Sequence, residues 1–182
     1  MDQVSYSHEV FTPDVLHDPN MIGPAGGMSV WVLGILVTLK AISNETGGIY
    51  SVFEEIVPPG AGAPMHMHTR EEETWYLLDG EMVWTVGRRS FHATKGCLIH
   101  CPRLVPHYFM NKSGKPAHMI NTYAPGGLEK WFLQVGEPVL DRYAPGEPPP
   151  RTKVLLNKAI KLAQEEYGVL FNLGQEAAKD EL

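Results

Sequence analysis

The sequence is short of cysteine, and this shortage removes one class of protein. Its 182 residues contain two cysteines, Cys97 and Cys101. If both lie on one strand, their side chains point the same way but stand too far apart for a disulfide bond. We therefore expect two buried thiols in a reducing compartment, rather than a small secreted domain held together by disulfides.

Long apolar runs are also missing, which argues against a membrane protein. WVLGILVTL, at 31–39, is too short to cross a bilayer, and its branched residues predict a buried strand. The N-terminus lacks the basic region and apolar core of a signal peptide. Residues 179–182 read Lys-Asp-Glu-Leu, an endoplasmic-reticulum retrieval signal that is recognised only in the lumen. With no visible route into the lumen, we interpret this match as coincidence and expect a cytoplasmic protein.

Clustered positive charge is the third thing the sequence lacks. The formal net charge is −6, and no run of Lys and Arg offsets it locally. Such a chain repels phosphate backbones and anionic lipid, so we expect neither nucleic acid nor a membrane as partner. A small-molecule substrate fits this charge better.

What the chain does contain is a series of short strand-like runs separated by turn residues. Runs such as GIYSVFEEIV, EMVWTVG and HYFMN are rich in branched and aromatic residues, and Asp-Gly and Gly-Arg are among the turns between them. This pattern predicts an all-β sandwich or barrel. We assign an N-terminal arm to 1–27, the barrel to 28–140, a proline-rich linker to 141–151, and a C-terminal helix and tail to 152–182.

One helix is predicted after the proline-rich stretch. Proline keeps APGEPPP out of a helical conformation, and Thr152 can cap the segment that follows. Apolar residues then recur every three or four positions until Gly168: Leu155, Leu156, Ala159, Ile160, Ala163 and Tyr167. We expect this helix to pack on the outside of the barrel.

The stretch PMHMHTREEETWYLLDG, at 64–80, has the pattern of half a metal site on each of two strands. If PMHMH is extended, His66 and His68 project from the same face toward one point. After a turn, Glu73 can reach that point from the next strand, while Glu71 and Glu72 stay nearer the mouth of the barrel.

Two aromatic residues stand close to Glu73 and to a further histidine in sequence. Trp75 is two residues from Glu73, and Phe109 is two residues from His107. Each aromatic side chain would share a face with that neighbouring residue. They either line a substrate pocket beside the metal or simply fill the barrel, and the sequence leaves both readings open.

These residues complete a pattern that resembles the cupin family. The first cupin motif, G-x5-H-x-H-x4-E-x6-G, is matched at every fixed position: Gly60, His66, His68, Glu73 and Gly80. The second, G-x5-P-x-G-x2-H-x3-N, is matched at Gly96, Pro102, His107 and Asn111, with Leu104 where the family usually has glycine. The flanking segments resemble single-barrel cupins related to quercetin 2,3-dioxygenase, so the resemblance covers nearly the whole chain.

The resemblance implies a double-stranded β-helix, or jelly roll, with one divalent metal ion per chain. The implied ligands are His66, His68, Glu73 and His107. Three imidazoles and one carboxylate suit Fe, Mn, Ni, Co, Cu or Zn better than Ca or Mg. By similarity to quercetinase-like cupins, Glu73 is also expected to act as the catalytic base that accepts a substrate hydroxyl proton.

The resemblance favours a metal-dependent dioxygenase that acts with O2 on a flavonol or a related enol or aromatic molecule. Two other classes stay open: a non-oxidative isomerase, cyclase or lyase, and a small-molecule-binding protein without turnover. Cupins commonly pair through barrel edges, so we also expect a homodimer.

Overall fold

Polar and apolar residues alternate along most of the strands, and this alternation builds two antiparallel sheets that face each other. In the strand Ser51–Val57, for example, every second side chain is buried between the sheets. The computed structural model describes residues 21–150 and 152–171. The predicted all-β jelly roll is confirmed, whereas most of the N-terminal arm and the C-terminal Lys-Asp-Glu-Leu lie outside the described residues.

The larger sheet has seven strands in the order β11-β1-β2-β3-β10-β5-β8. Its strands are β1 (Ser29–Val32), β2 (Ile35–Ala41), β3 (Ser51–Val57), β5 (Glu72–Asp79), β8 (Leu98–Cys101), β10 (Ala117–Ala124) and β11 (Glu137–Val139). The smaller sheet has five strands in the order β12-β4-β9-β6-β7. They are β4 (Gly62–His68), β6 (Glu81–Val86), β7 (Arg89–Thr94), β9 (His107–Met110) and β12 (Val169–Phe171).

The core fills the space between the sheets with large side chains. Phe53, Trp75, Leu77 and Trp84 are completely buried there. Burying side chains of this size supplies most of the hydrophobic stabilisation of a small domain. The two cysteines are free thiols; Cys101 is buried and Cys97 is partly exposed.

Strand pairing brings the two sequence motifs together. Strand β4 pairs with β9, and His66 lies opposite His107 in that register. Strand β5, in the facing sheet, carries Glu73 and pairs with β10. The histidines of one sheet therefore meet the glutamate of the other across the interior of the barrel.

The C-terminal part of the chain differs from the sequence expectation. A short helix α1 (Glu129–Val135), which the sequence did not suggest, precedes the linker, and Thr152 caps the helix α2 (Lys153–Leu162) as predicted. The helix then widens into a π-helical turn at Ala163–Tyr167, and Gly168, with φ of 70°, ends it. The chain next forms β12, which pairs with β4, so this segment joins the smaller sheet and does not lie wholly outside the barrel.

The proline-rich linker is fastened to the larger sheet. Arg142 forms two hydrogen bonds of 2.6 Å with the carboxylate of Glu54, and the Trp31 indole N–H donates to the Pro145 carbonyl at 3.0 Å. Across residues 21–150 and 152–171, no helix is long and apolar enough to cross a membrane.

Candidate metal centre

Four side chains from three strands converge in the interior: His66 and His68 of β4, Glu73 of β5 and His107 of β9. One potential ligand atom from each residue lies within 4.8 Å of the others. All four side chains are between 1% and 6% exposed. Titratable groups this deeply buried need compensation from one another or from an ion.

The ring nitrogens of the histidines crowd around one carboxylate oxygen. Oε2 of Glu73 lies 3.1 Å from Nε2 of His68 and 3.1 Å from Nε2 of His107. Nε2 of His107 is also 3.1 Å from Nε2 of His66. Three imidazole nitrogens and one carboxylate oxygen thus face a common point.

The other nitrogen of each ring faces an acceptor outside the cluster. Nδ1 of His66 is 2.7 Å from the Pro64 carbonyl oxygen, and Nδ1 of His107 is 2.8 Å from the Val105 carbonyl oxygen. A hydrogen bond from Nδ1 to a carbonyl places the ring proton there and leaves Nε2 as the electron-pair donor. The backbone therefore orients both rings as metal ligands.

This arrangement suits a transition-metal ion. With Nδ1 protonated in both rings, His66 Nε2 and His107 Nε2 face each other at 3.1 Å, so either a proton or a metal ion must lie between their lone pairs. In His68, Nδ1 and Nε2 are both buried, and neither makes a well-formed hydrogen bond within the described part of the chain. Three nitrogen donors and one oxygen donor match the preference of divalent transition metals.

Electrostatic interactions and burial shift the pKa values of the three histidines in different directions. Burial and the nearby charges of His107 and His68 lower the pKa of His66 to about 3. Burial also opposes the charged form of His68, but Glu73 and Glu71 outweigh it and raise the pKa of His68 to about 9. For His107, burial is outweighed by Cys101 and Glu73, which raise its pKa to about 9. A metal ion must displace these protons, so metal affinity should fall as the pH drops.

The carboxylate of Glu73 stays ionised in spite of its surroundings. Burial alone would favour the protonated acid, but the charges and hydrogen bonds of His68 and His107 hold the pKa of Glu73 well below its usual range. The group is therefore available as an anionic ligand and as a proton acceptor.

The cluster borders a cavity with largely apolar walls. The cavity contains about 600 Å³ of space, including its open mouth, and its polar lining consists of His66, His68, Glu73, Glu55 and Tyr123. Val37, Phe132, Val169 and Phe171 are among its apolar lining residues. Phe171 of β12 stacks on the His66 ring with centroids 5.6 Å apart. The C-terminal segment therefore supplies part of the wall beside the candidate ligands.

The two aromatic residues singled out from the sequence have different positions. Phe109 lines the cavity. Trp75 does not border it; its ring lies behind His107 and against Phe109, with a centroid distance of 5.7 Å to each. Phe109 therefore lies in the cavity wall, and Trp75 lies in the packed interior of the barrel.

Glu71 also lies elsewhere than expected. It was placed near the mouth with Glu72, but it is only 6% exposed, and its Oε2 lies 3.4 Å from Nδ1 of His68. Glu72 does face outward, where it pairs with His100 at 3.1 Å. The bend after β4 turns Glu71 back toward the cluster, so His68 also has an acceptor behind it.

The sequence analysis missed three polar residues that support the site from the larger sheet: Glu55, Asn121 and Tyr123. The Asn121 side-chain amide donates to Glu73 Oε1 at 2.9 Å, to the Tyr123 hydroxyl at 3.0 Å and to Glu55 Oε1 at 3.3 Å. A signal for them was present, because Glu55 and Asn121 occupy inward positions between apolar residues on β3 and β10.

Burial also raises the pKa values of Glu55 and Tyr123. Burial and the charge of Glu73 raise the pKa of Glu55 to about 8, although its hydrogen bond with Asn121 opposes the shift. Burial, with the charges of Glu73 and Glu55, raises the pKa of Tyr123 well above its usual range. Tyr123 is therefore a neutral phenol beside the cluster.

Comparison with known proteins yields one matching family and two curated relatives. Residues 53–123, which include all four candidate ligands, match the family described as Cupin domain. The chain is 33% identical over 70 residues to an uncharacterized protein of Methanocaldococcus jannaschii, covering 38% of the chain and 56% of that protein. It is 29% identical over 111 residues to quercetin 2,3-dioxygenase of Bacillus subtilis, covering 60% of the chain and 32% of that enzyme. The chain thus spans little more than half of one relative and about a third of the other.

Among solved structures, KdgF from Halomonas sp. resembles the barrel. The two share 14% sequence identity with a TM-score of 0.50, over 57% of this chain and 89% of that one. At this identity the likeness concerns the fold alone.

Proposed function

The chain belongs to the cupin superfamily, and from that premise we propose that it is a metal-dependent dioxygenase of the quercetinase type. The proposed substrate is a flavonol or a related enol or aromatic small molecule, and the co-substrate is O2. The observation that carries the proposal is the buried cluster of three histidines and Glu73 on the wall of a largely apolar cavity. The partial similarity to quercetin 2,3-dioxygenase of Bacillus subtilis supports it.

In this proposal His66, His68, Glu73 and His107 bind one divalent transition-metal ion. A redox-active ion in this position supplies Lewis acidity and a route for electrons between substrate and O2. The chain fixes the ligand geometry through the carbonyls behind His66 and His107 and through Glu71 behind His68.

Glu73 accepts the proton of the substrate hydroxyl in this reaction. A carboxylate that binds the metal is ionised before substrate arrives. Asn121 holds Oε1 by a hydrogen bond of 2.9 Å, so the carboxylate keeps its orientation while Oε2 faces His68 and His107. Glu73 lines the cavity and is aligned by Asn121, so a substrate hydroxyl bound there could come within the hydrogen-bonding distance that general base catalysis requires.

The apolar walls contribute by excluding water. Phe109, Phe132, Val169 and Phe171 surround the approach to the cluster with hydrocarbon. A planar aromatic substrate can bury its rings against such walls. Exclusion of water also strengthens the electrostatic interactions around the carboxylate and protects reactive intermediates from hydrolysis.

An oxygen-electrode assay tests the proposal. Protein purified without chelator or nickel affinity resin is analysed for metal and then assayed for O2 uptake with a panel of flavonols. We expect stoichiometric Fe, Mn, Co, Ni or Cu and uptake that depends on the flavonol, and we expect Glu73→Gln to abolish that uptake. Stoichiometric Zn, or a redox metal with no uptake on any enol substrate, would contradict the dioxygenase and favour a Lewis-acid isomerase, cyclase or lyase.

A further inference from the structure

We propose that Glu55 forms a second polar binding position in the cavity, which takes a hydroxyl group of the ligand while another ligand oxygen approaches Glu73 and the histidines. The ligand class that follows is an aromatic or enol molecule with more than one hydroxyl group. The inference rests on the proposed function for the aromatic character of the ligand. The position of Glu55 in the cavity wall and its incomplete hydrogen bonding indicate where a hydroxyl group would bind.

Glu55 is an acidic residue in a place where a soluble barrel would normally have an apolar one. It lies on β3 at an inward position between Phe53 and Val57, is 2% exposed and borders the cavity. An isolated buried carboxyl group is unfavourable unless its polar atoms find partners. A carboxyl group buried at such a cost in stability is a candidate for a role in binding.

The carboxyl group of Glu55 has unused hydrogen-bonding capacity. Its Oε2 atom is buried and has no hydrogen-bond partner among residues 21–150 and 152–171. Its Oε1 atom lies 3.3 Å from the Asn121 amide nitrogen, which is closer to Glu73 and to the Tyr123 hydroxyl. An amide NH2 group has two hydrogens, so the two shorter interactions use them and the contact with Glu55 is the weakest of the three. A ligand in the cavity can supply what both oxygens lack.

The neighbouring residue on the same strand provides a contrast. Glu54 points to the opposite face of the sheet, where Arg142, Lys40 and His118 all contact its carboxylate. That carboxylate is fully partnered within the chain. Oε2 of Glu55 therefore lacks a partner among the described residues because Glu55 lies on the cavity face of β3.

The charges nearby decide which ligand group can bind. Glu55 and Glu73 each place Oε1 within 3.3 Å of the Asn121 amide nitrogen, so their carboxyl groups are neighbours. An anionic group would be repelled by Glu73, whereas a neutral hydroxyl can donate to a carboxylate and can also accept from a carboxylic acid. A hydroxyl group can thus bind Glu55 in either protonation state.

A pair of ligands and a set of variants test this position. We would titrate the full-length, Zn-loaded protein under nitrogen with 3-hydroxyflavone, and with quercetin, which has additional hydroxyl groups on its rings. We expect wild type to bind quercetin roughly tenfold more tightly. Glu55→Met should remove most of that preference, and Glu55→Gln, which can still hydrogen bond, should keep part of it. Glu54→Gln is the matched control on the outer face and should leave the preference unchanged.

The outcomes separate this inference from the proposed function, because binding is measured without turnover. Absence of O2 uptake with any flavonol would contradict the dioxygenase and leave the binding preference intact. An equal preference in wild type and Glu55→Met, or failure of quercetin to bind better than 3-hydroxyflavone, would overturn the role of Glu55. Loss of zinc from Glu55→Met would also overturn it, because Glu55 would then act on Glu73 through Asn121. Retained zinc with an unchanged or higher melting temperature supports a role in ligand binding.

Discussion

Glu71 and Glu72 are adjacent in the chain, yet their surroundings are opposite. Glu71 is buried beside the His68 ring, and Glu72 lies at the surface with His100 and Arg103. A carboxylate behind a ligand histidine orients the ring and increases the basicity of the coordinating nitrogen. A run of three glutamates therefore divides into a candidate ligand, Glu73, a residue that positions a ligand, and a surface residue.

This division predicts different effects of two similar substitutions. Glu71→Ala should lower metal affinity by about 10–100-fold, because His68 loses the acceptor behind its Nδ1 atom. Glu72→Ala should leave affinity unchanged. Competition with a chelator of known affinity, followed by elemental analysis, measures both. Equal affinities for the two variants would show that Glu71 has no part in positioning His68.

Leu104 shows how the chain accommodates a departure from the cupin motif. The residue stands where the family usually has glycine, and it adopts the glycine-like conformation with φ of 64°. Its N–H donates to the His68 carbonyl oxygen at 2.8 Å, which fastens the turn to the strand that carries two candidate ligands. A side chain in the left-handed region costs about 1–2 kcal/mol.

Replacement of this residue by glycine should therefore stabilise the protein. Leu104 is 59% exposed, so Leu104→Gly loses little buried surface. Relief of strain, partly offset by the greater entropy of unfolded glycine, should raise the free energy of unfolding by up to about 1 kcal/mol. Denaturant titration measures the change, with Leu104→Ala as the control that keeps the strain. A destabilised glycine variant would mean that the Leu104 side chain stabilises the turn by more than the strain costs.

At the scale of elements, strand β3 separates two kinds of glutamate by the alternation of its side chains. Glu55 faces the cavity, and Glu54 faces the outer side, where it ties the linker to the sheet through Arg142. Burial opposes the ionisation of Glu54, but its hydrogen bonds with Arg142, Lys40 and His118 lower its pKa from 4.5 to about 2. An acid with a lowered pKa stabilises the folded state above its unfolded pKa, and this contribution is lost as the pH falls.

The Glu54 cluster predicts a specific pH dependence of stability. Wild type should lose about 2 kcal/mol from this group between pH 4.5 and pH 2, after allowance for solvent screening. Glu54→Gln should be less stable by a similar amount at neutral pH and should show a flatter profile in that acidic window. Denaturant titrations at several pH values test this, with the exposed Glu81→Gln as control. Parallel profiles for wild type and Glu54→Gln would contradict the assignment.

Features set by one strand could be predicted from the sequence, whereas features set by the pairing of distant strands could not. The motif spacing placed His66 and His68 on one face because alternation along a strand is a local property. Neither the pairing of β3 with β10 nor that of β12 with β4 is local, so the group of Glu55, Asn121 and Tyr123 and the wall around Phe171 could not be read from spacing. Strand β12 has three residues and exists through its pairing with β4. Helix α1 has seven residues, too few for a clear helical period.

At the scale of the whole molecule, four strands lie at the edges of the two sheets that the described residues form. Strands β8 and β11 lie at the edges of the larger sheet, and β7 and β12 lie at the edges of the smaller one. Near the β8 edge, Leu98 and Tyr76 lie opposite each other and are both exposed. Unpaired edges with exposed apolar residues are places where chains associate.

The homodimer stays a prediction at this scale. If the β8 edge contributes to the interface, Leu98→Lys should shift the protein toward monomer, because a charged side chain is unfavourable in an apolar contact. Light scattering coupled to size-exclusion chromatography measures the mass of wild type and variant. The control is Leu140→Lys, which changes an exposed leucine away from that edge. A monomeric wild type would refute the dimer.

We expect the buried cluster of three histidines and Glu73 to bind one divalent transition-metal ion. Elemental analysis of the full-length protein, purified without chelator or nickel resin, tests it most directly when wild type is compared with Glu73→Ala. We expect about one metal ion per wild-type chain and a large loss in Glu73→Ala, with circular dichroism showing that the β structure persists in both. A folded wild-type protein that retains no transition metal after dialysis against each candidate ion, or an equal metal content in the two proteins, would contradict it.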